Sequence, residues 1–538
     1  MRKHIEPRRY LLRFDSRALS HRFADVLVIG SGVAGLRAAL AAAEHADVLL
    51  VTKDELRESN TQYAQGGIAV VLAEPDSFDA HIADTLSVGQ GLCEPAVVAA
   101  VVQEGPARIQ ELIAGGATFD SARGELTLTR EGGHSVPRII HAQGDATGAE
   151  VEQALLRQVA ACPRIQSLDH TFVVDLLTDG GECLGALLSS QVHGLMLVWA
   201  KQTVLASGGI GQVYRETTNP DVATGDGIAM AYRAGAVVQD MEFVQFHPTT
   251  LYIAGASRWL ISETVRGEGA YLLNKRGERF MPRYHPDAEL APRDAVSRAI
   301  VAEMRLTGAT HVHLDLRHLD AEHIRARFPT IGAVCARFEL DIAEDLIPVR
   351  PSAHYTIGGV RIDLEGRTSL ARLMACGECA CSGLHGANRL GSNSLLEGLV
   401  LGTRAGGLAG RAAAAAGRDL LPRHIRSDLP PVESDQLDLA DVLNSLKSLT
   451  WRSIGIERDA GGLREAEQNI DFWCSYVMAR EFHFRGGWEL QNMLTIAKLI
   501  AVAALQRQES RGVHFRSDFP KTDDDQWKTH ITFQRPEA

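Results

Sequence analysis

Apolar runs that end abruptly in glycine recur along the chain, and the first lies close to the N-terminus. Residues 25–30 (DVLVIG) are almost continuously apolar, which is typical of a strand buried in a parallel sheet. Glycines 30, 32 and 35 follow at once, alanine-rich residues 36–45 predict a helix, and residues 47–52 (DVLLVT) predict a second strand. The glycines therefore fall at the strand-to-helix turn of a βαβ unit, which is the context of a dinucleotide-binding fingerprint. An ordinary tight turn is the alternative.

Further pieces of the same fold lie far along the chain. Residues 203–209 (TVLASGG) predict another strand that ends in glycines, and residues 224–227 (TGDG) open a helix. We therefore predict an α/β protein whose Rossmann-like nucleotide-binding domain is discontinuous, comprising residues 23–240 and 355–420. Residues 241–354 are predicted to be an inserted α+β capping domain. Lys53 ends the second strand where an NAD enzyme usually has an acidic residue, so a flavin is favoured over NAD.

The two ends of the chain have a different pattern. After the Pro430-Pro431 pair, which indicates a linker, residues 438–452, 461–480 and 488–507 have helical periodicity. They predict a C-terminal helical bundle over residues 433–538, with a loose tail at its end. Residues 1–22 form an arginine-rich N-terminal extension, interpreted as a flexible tail or a strand-forming segment, with a targeting peptide less favoured.

Composition narrows the class of protein. The 538 residues carry a formal net charge of −12 and no domain stands out as basic, which argues against nucleic acid as a partner. No apolar run is long enough to cross a membrane, so a cytoplasmic protein is expected. The eight cysteines are scattered apart from Cys376, Cys379 and Cys381, and these lack the second ligand pair of a metal centre. They are interpreted as buried or loop thiols, and no metal is predicted.

Four basic residues stand in glycine- and proline-containing segments: His247, Arg293, His354 and Arg389. Any one of them alone is better explained as a surface salt bridge or a histidine bonded to a carbonyl group. Together they offer two guanidinium groups, each able to hold a carboxylate through two hydrogen bonds, and two imidazoles. A small dicarboxylate needs that set of donors.

The order of these motifs resembles the succinate dehydrogenase/fumarate reductase flavoprotein family. The resemblance extends from about residue 25 to 520, and its segments are 30–35, 64–69 (AQGGIA), 224–227, 247–249 (HPT), 263–270 (ETVRGEGA), 291–294 (APRD), 354–359 (HYTIGG), 385–397 (HGANRLGSNSLLE) and 509–512 (ESRG).

The resemblance implies an FAD site and a substrate site. The implied cofactor-binding residues are Gly30, Ser31, Gly32, Ala34, Gly35, Lys53, Asn60, Thr61, Ala64, Gln65, Gly66, Gly67, Asp226, Glu378, Ser394 and Leu395. The implied catalytic residues are Arg293, His247, His354 and Glu131, and the implied substrate-binding residues are Arg389, Ser262 and Glu263. In the family, the position of Arg293 supplies the proton when fumarate is reduced.

Two positions distinguish the branches of the family. Asn60 stands where succinate dehydrogenases carry the histidine that bonds covalently to FAD, so non-covalent FAD is implied. Glu131, in residues 130–135 (REGGHS), is positioned to attract a substrate ammonium group, with a solvated loop acid as the alternative.

The implied activity is oxidation of L-aspartate to iminoaspartate, with O2 (giving H2O2) or fumarate as the electron acceptor. This reaction would be the first step of NAD biosynthesis through quinolinate, and transfer of the product to a quinolinate synthase is implied. The alternatives are a soluble fumarate reductase, a succinate dehydrogenase flavoprotein subunit, or a flavin protein that has lost catalysis.

Overall fold

The computed structural model describes residues 8–253, 255, 258–417, 420–429 and 437–535. The predicted linker at Pro430-Pro431 and the first seven residues of the N-terminal extension lie outside the described residues.

The strands are short at the edges of the fold and long at its centre. They are β1 (Phe14–Asp15), β2 (Ser20–Ile29), β3 (Val48–Val51), β4 (Ile68–Ala69), β5 (Ser121–Ala122), β6 (Glu125–Leu126), β7 (Ile139–Ile140), β8 (Ile165–Leu168), β9 (Thr171–Asp179), β10 (Glu182–Ser190), β11 (Gly194–Leu205), β12 (Val238–Gln239), β13 (Val244–Leu251), β14 (Tyr271–Leu273), β15 (Val312–Asp315), β16 (Ile347–Thr356), β17 (Gly359–Arg361), β18 (Leu373–Ala375), β19 (Ala380–Cys381), β20 (Arg426–Ser427) and β21 (Thr532–Phe533).

Helices α1 (Val33–Ala43) and α10 (Asn393–Ala415) pack on the central strands, and helices form most of the C-terminal part. The helices are α1 (Val33–Ala43), α2 (Phe78–Val88), α3 (Pro95–Ala114), α4 (Thr147–Ala161), α5 (Asp226–Arg233), α6 (Glu263–Gly267), α7 (Arg293–Thr307), α8 (Ala321–Arg327), α9 (Pro329–Ala336), α10 (Asn393–Ala415), α11 (Leu439–Ser453), α12 (Ala460–Val477), α13 (Arg485–Gln506) and α14 (Asp524–Trp527).

The central sheet has the strand order β8-β3-β2-β11-β10-β9, and β18 pairs with β11. Strands β8, β3, β2 and β11 run parallel, as the predicted βαβ unit requires, whereas β10 is antiparallel to both of its neighbours. The second half of β2 and all of β3 are buried, which explains their continuous apolar sequence. Because β2 begins at Ser20, the last residues of the N-terminal extension belong to this sheet.

The glycines of the first turn allow close contact between backbones. Gly30 has φ of 112°, and a Cβ atom there would lie 2.1 Å from the carbonyl oxygen of Ala206. Helix α1 packs against α10, where glycines recur every fourth residue from 398 to 410. At Gly406 a Cβ atom would lie 2.1 Å from the carbonyl oxygen of Ala38. These four glycines of α10 therefore serve helix packing rather than turns.

The region predicted as the capping domain has its own apolar core. Strands β13, β16, β15 and β14 form an antiparallel sheet in that order, and α7 packs on β13. A cluster of buried apolar side chains extends from Leu251 to Val349, separate from the main cluster. Strand β16 leads the chain back to the central part, and His354 lies near its end.

The described residues near the two ends of the chain are ordered, and at the N-terminal side this agrees with the strand-forming alternative. Leu11 and Leu12 are fully buried and β1 pairs with β20, so from residue 8 onward the extension is not a flexible tail. The prediction of a loose C-terminal tail is wrong for the described residues, because β21 pairs with β12 after the short helix α14. Buried side chains of α11, α12 and α13 join the main core instead of forming a core of their own.

Candidate active site

A deep cleft follows the glycine turn and encloses about 1440 Å³ of empty space, including solvent at its mouth. Twelve of the sixteen predicted cofactor residues line it: Gly30, Ser31, Gly32, Ala34, Lys53, Asn60, Thr61, Ala64, Asp226, Glu378, Ser394 and Leu395. Two of the residues predicted on the substrate side, His354 and Arg389, line the same cleft, and Tyr355 lines it beside them. The cleft thus joins the nucleotide-binding region to residues that were predicted to bind a dicarboxylate.

Four predicted cofactor residues do not line the cleft: Gly35, Gln65, Gly66 and Gly67. A Cβ atom at Gly35 would lie 1.9 Å from the carbonyl oxygen of Gly30, and one at Gly67 would lie 2.2 Å from that of Ile140. These two glycines therefore serve backbone packing beside the cleft. A Cβ atom at Gly66 would lie 3.9 Å from Glu131 Oε1, so this turn borders the substrate side.

The inner end of the cleft lies where the second strand of the βαβ unit ends. The Lys53 ammonium group donates to Thr224 Oγ1 and Asp226 Oδ2, both at 2.6 Å, and to Glu489 Oε1 at 2.7 Å. Burial works to raise the pKa of Asp226, but the attraction of Lys53 outweighs it and the pKa is lowered. This arrangement takes the place of the single acidic residue of NAD enzymes.

The polar atoms of the cleft fit a flavin nucleotide. Among the described residues, Asn60 Oδ1, Ser207 Oγ and Asn219 Oδ1 are buried without a hydrogen-bond partner, and all three residues line the cleft. The N-terminus of α1 opens onto the same space and suits a pyrophosphate. Asn60 Nδ2 donates to Glu378 Oε2 at 2.7 Å, and burial raises the pKa of Glu378. The long, partly apolar cleft with these free polar atoms fits FAD.

Two arginines converge on one glutamine at the substrate end of the cleft. Arg293 Nη1 donates to Gln245 Oε1 at 3.1 Å, and Arg389 Nη1 donates to the same oxygen at 3.2 Å. The Gln245 amide nitrogen donates to the carbonyl oxygen of Arg389 at 2.8 Å, so the glutamine cannot rotate freely. Arg389 also lies over the ring of Tyr355, with its Cζ 4.5 Å from the ring centre. We call Gln245, Arg293, Arg389 and Glu263 the arginine cluster.

The two histidines lie next to each other and are uncharged at neutral pH. Their ring centres are 5.1 Å apart. Burial, followed by the charge of Arg293, lowers the pKa of both His247 and His354 well below the usual value. His247 Nδ1 accepts from the backbone N–H of Thr249 at 3.3 Å, so the proton of the neutral ring sits on Nε2. His354 Nδ1 lies 2.9 Å from Thr218 Oγ1.

Glu131 is buried and held by hydroxyl groups on both of its oxygens. Thr264 Oγ1 donates to Oε1 at 3.0 Å, and Ser392 Oγ donates to Oε2 at 2.6 Å. Ser262 caps the short helix α6 and hydrogen-bonds to Thr264, so it supports this arrangement from behind. Glu131 is only 3% exposed, so the alternative that it is a solvated loop acid is wrong.

Glu263 balances the charge of the arginine cluster. Its Oε2 accepts from Arg293 Nε at 2.6 Å, and its Oε1 lies 3.3 Å from Arg266 Nη2. Burial works to raise the pKa of Glu263, but the two arginines outweigh it and lower the pKa. The pKa of Arg389 is lowered to about 10, first by burial and then by the charge of Arg293. Because the two guanidinium groups repel each other, an anionic ligand that contacts both of them would be attracted to this position.

Gly391 marks the point where the charged groups meet. A Cβ atom there would lie 3.1 Å from Arg293 Nη2 and 3.3 Å from both Glu131 Oε2 and Glu263 Oε2. The structure therefore brings together all seven predicted catalytic and substrate-binding residues around one region. Positive and negative groups stand side by side, which suits a ligand that carries both charges.

Sequence reasoning missed three residues that hold this site: Gln245, Ser392 and Thr218. Gln245 lies two positions before His247 on β13, so both side chains point to the same side of the strand. That spacing was available in the sequence as a signal. Ser392 lies in the predicted segment 385–397, but nothing local indicates that its hydroxyl reaches Glu131. Thr218 stands in a loop, and its contact with His354 depends on the tertiary fold.

Comparison with known proteins identifies the family. Residues 25–395 match the family model described as an FAD binding domain, and residues 481–538 match one described as the fumarate reductase flavoprotein C-terminus. An L-aspartate oxidase of Streptomyces coelicolor is 45% identical, with 94% of this chain and 91% of the relative covered. L-Aspartate oxidase 1 of Ralstonia nicotianae is 46% identical, with 93% and 96% covered. The chain belongs to the L-aspartate oxidase family.

Solved structures agree with this membership. E. coli quinol fumarate reductase FrdA is 33% identical to the chain with a TM-score of 0.89, and 96% of this chain and 94% of that chain are covered. The aspartate oxidase family member is thus an FAD-dependent oxidoreductase with the flavoprotein fold predicted from its motifs, and its work requires a small-molecule substrate and an electron acceptor. Among the residues described, no helix is long and apolar enough to span a membrane.

Proposed function

We propose that the protein oxidises L-aspartate to iminoaspartate, using FAD that is held without a covalent bond. The observation that carries this proposal is the buried carboxylate of Glu131 beside the arginine cluster. Two arginines suit the two carboxylates of a four-carbon diacid, and a fixed negative group beside them suits the ammonium of an amino diacid. A plain dicarboxylate, fumarate included, would instead meet repulsion from Glu131 and bind more weakly than L-aspartate.

Arg293 and Arg389 would hold the substrate carboxylates. Gln245 fixes the spacing of the two guanidinium groups, and the ring of Tyr355 supports Arg389 from one side. Both arginines are at least nine-tenths buried, so water competes little for their donors. Fixing both carboxylates limits the orientations of Cα, one of the two carbon atoms between them, which favours one face for hydrogen transfer.

His247 and His354 would add hydrogen-bond donors without adding charge. Their lowered pKa keeps both rings neutral, so the positive charge of the site stays on the arginines. FAD, which Asp226, Glu378 and Ser394 would help to hold in the cleft, would supply hydride acceptance from the substrate Cα and electron transfer to the acceptor. The substrate nitrogen must lose protons for the imine to form, and Glu131 is placed to attract the ammonium group before that loss.

We further propose that O2, giving H2O2, or fumarate takes up the electrons, and that the reaction starts NAD biosynthesis through quinolinate. Iminoaspartate hydrolyses readily in water. Transfer to a quinolinate synthase would therefore protect the product, and this transfer is part of the proposal.

One experiment tests the substrate and the cofactor linkage together. The purified protein is denatured with acid, and the colour of the supernatant and of the precipitate is compared. Peroxide release is then measured with L-aspartate and with succinate. We expect yellow supernatant and peroxide with L-aspartate only. Flavin in the precipitate, or turnover of succinate with inert L-aspartate, would instead support a succinate dehydrogenase flavoprotein and contradict the proposal.

A further inference from the structure

A line of buried hydrogen bonds begins at the N-terminal extension and runs toward the cleft. The backbone N–H of Leu11 donates to Asp175 Oδ2 at 2.7 Å. Asp175 lies on β9, and its other oxygen accepts from Arg233 Nε at 2.8 Å. Asp175 and Arg233 are both fully buried. A buried ion pair of this kind depends on having all of its polar atoms partnered, because nothing in the surroundings replaces a lost bond.

The line continues through helix α13 and ends in the cleft. Arg233 Nη1 donates to Asn492 Oδ1 at 2.6 Å, and Asn492 Nδ2 donates to Asp226 Oδ1 at 2.7 Å. The other oxygen of Asp226 accepts from Lys53 and from Thr224, the latter at 2.8 Å. Asp226 and Lys53 both line the cleft. A contact made in the first fifteen residues is thus connected to the cofactor end of the protein.

Asn492 has a specific part in this line. Its carbonyl oxygen faces a guanidinium group and its amino group faces a carboxylate, so the amide bridges two groups of opposite charge. An aspartate would place a second carboxylate against Asp226, and an apolar residue would leave both charged groups short of a partner. Of the common side chains, only an amide of this length matches both neighbours.

A second residue of the same helix, Glu489, contacts Lys53 of the cleft wall. Glu489 precedes Asn492 by three positions, so both lie on one face of α13. Its Oε1 accepts from the Lys53 ammonium group and from Arg485 Nε at 2.9 Å. With Thr224, Asp226 and Glu489 as acceptors, all three protons of the Lys53 ammonium are used, and its position is fixed.

We propose that Asn492 and Glu489 are positioning residues for FAD, acting through Asp226 and Lys53. The helical C-terminal part therefore helps to set the affinity for the cofactor, although it lies outside the glycine turn. In dinucleotide folds the adenosine ribose lies at the end of the second strand, which is where Lys53 stands. The buried line through Arg233 and Asp175 holds this helix face in register with the central sheet.

The neighbouring Gln491 offers a matched control. It lies on the same helix and is equally buried, but its amide nitrogen donates to the carbonyl oxygens of Val477 and Arg480 at 3.1 and 3.0 Å. Those bonds lie inside the helical part and do not approach the cleft. Asn492→Leu and Gln491→Leu each remove one buried amide from α13, so both should lower the unfolding temperature of the apoprotein.

The test is the dissociation constant of FAD for the full-length apoprotein, measured by quenching of flavin fluorescence. We expect Asn492→Leu to raise it at least tenfold and Gln491→Leu to leave it within twofold of the unaltered protein. Unchanged affinity in Asn492→Leu, or equal weakening by both variants, would overturn the proposal. If Asn492→Leu fails to fold, Glu489→Gln tests the proposal instead. Removing the charge of Glu489 should raise the dissociation constant of FAD severalfold. No substrate is present, so the result is independent of the proposed reaction.

Discussion

At the glycine-turn end of the cleft, backbone and small side chains leave polar atoms free, whereas at the arginine end charged side chains hold one another. Asn60 and Ser207 each keep a buried oxygen without a partner within the described part of the chain. Arg293 and Arg389 instead share Gln245, and Glu131 is held by two hydroxyl groups. The first region is shaped to receive a large ligand that supplies its own polar groups. In the second region, the charged side chains already hold fixed positions before a small ligand binds.

The difference teaches how each region can be damaged. The cofactor region needs open space for its ligand, so an added methyl group should weaken FAD binding. The arginine end depends on charges at fixed positions, so the removal of one charge should lower substrate turnover or affinity. The two regions also share a wall in residues 385–397, where Arg389 and Ser394 both line the cleft.

The largest effect is expected from Arg389→Leu. Two hydrogen bonds between charged groups contribute about 1.5–3 kcal/mol each, so kcat/KM for L-aspartate should fall by roughly 10²- to 10⁴-fold. The affinity for FAD should stay the same, because the arginine acts on the substrate. The exposed Arg426, which pairs with Asp428, provides the control Arg426→Leu. Loss of FAD from the Arg389 variant would mean that the two regions are not separable.

Gly32→Ala tests the cofactor region in the opposite way. Gly32 caps α1 with φ of −69°, and an added Cβ atom would lie 3.3 Å from Thr61 Oγ1, so the protein should still fold. The methyl group would project from the wall against which the pyrophosphate is proposed to lie, and the dissociation constant of FAD should rise by roughly tenfold. Gly486→Ala, whose added atom meets only ordinary contacts, is the control. Wild-type FAD affinity in the Gly32 variant would count against the placement of the cofactor.

Glu131→Gln tests the choice between amino and plain dicarboxylates. Removing the negative charge should raise KM for L-aspartate by roughly 10- to 100-fold, because a close charge pair contributes at least about 1.5 kcal/mol. Inhibition by succinate should strengthen, since the repulsion is lost. The exposed Glu125, changed to Gln, serves as the control. If succinate binds no better to the Glu131 variant, the carboxylate does not select the substrate.

The smallest effect concerns pH. Burial lowers the pKa of His247 and His354, and likewise of His81, His134, His141 and His514, with His81 at about 4. The unfolded chain takes up these protons below pH of about 6.5 and the folded protein does not, so stability falls with falling pH. His530 has a raised pKa and opposes the trend.

Thermal unfolding of the apoprotein checks this expectation. The unfolding temperature should fall by roughly 2–5 °C between pH 7 and 5.5. His247→Asn together with His354→Asn should reduce the slope, because two of the buried titrating groups are gone. A flat profile in the unaltered protein would contradict the buried, neutral state of these histidines.

Local sequence patterns predicted the first two strands of the βαβ unit and the three C-terminal helices. The apolar runs before Gly30 and after residue 46 are buried strands because such runs have one stable environment, the interior of a parallel sheet. The three C-terminal helices follow their periodicity to within three residues at each end. The spacing of Gly398 to Gly410 was equally visible, but its meaning depends on which helix packs against it.

The candidate site was predicted less completely, because its supports come from distant segments. Glu131 could be singled out from its motif, but the hydroxyl groups of Thr264 and Ser392 that hold it lie more than a hundred residues away. The C-terminal segment is ordered because β21 pairs with Val238 and Gln239, and no local pattern indicates this pairing. Long-range contacts of this kind are set by the packing of the whole chain.

The central claim is that the arginine end selects an amino dicarboxylate and delivers its electrons to the flavin end. Anaerobic mixing of the purified protein with a small excess of L-aspartate or of succinate tests this claim in one step, with the flavin absorbance as the signal. We predict rapid bleaching with L-aspartate and no bleaching with succinate over the same time. Bleaching by succinate, with L-aspartate without effect, would contradict the account.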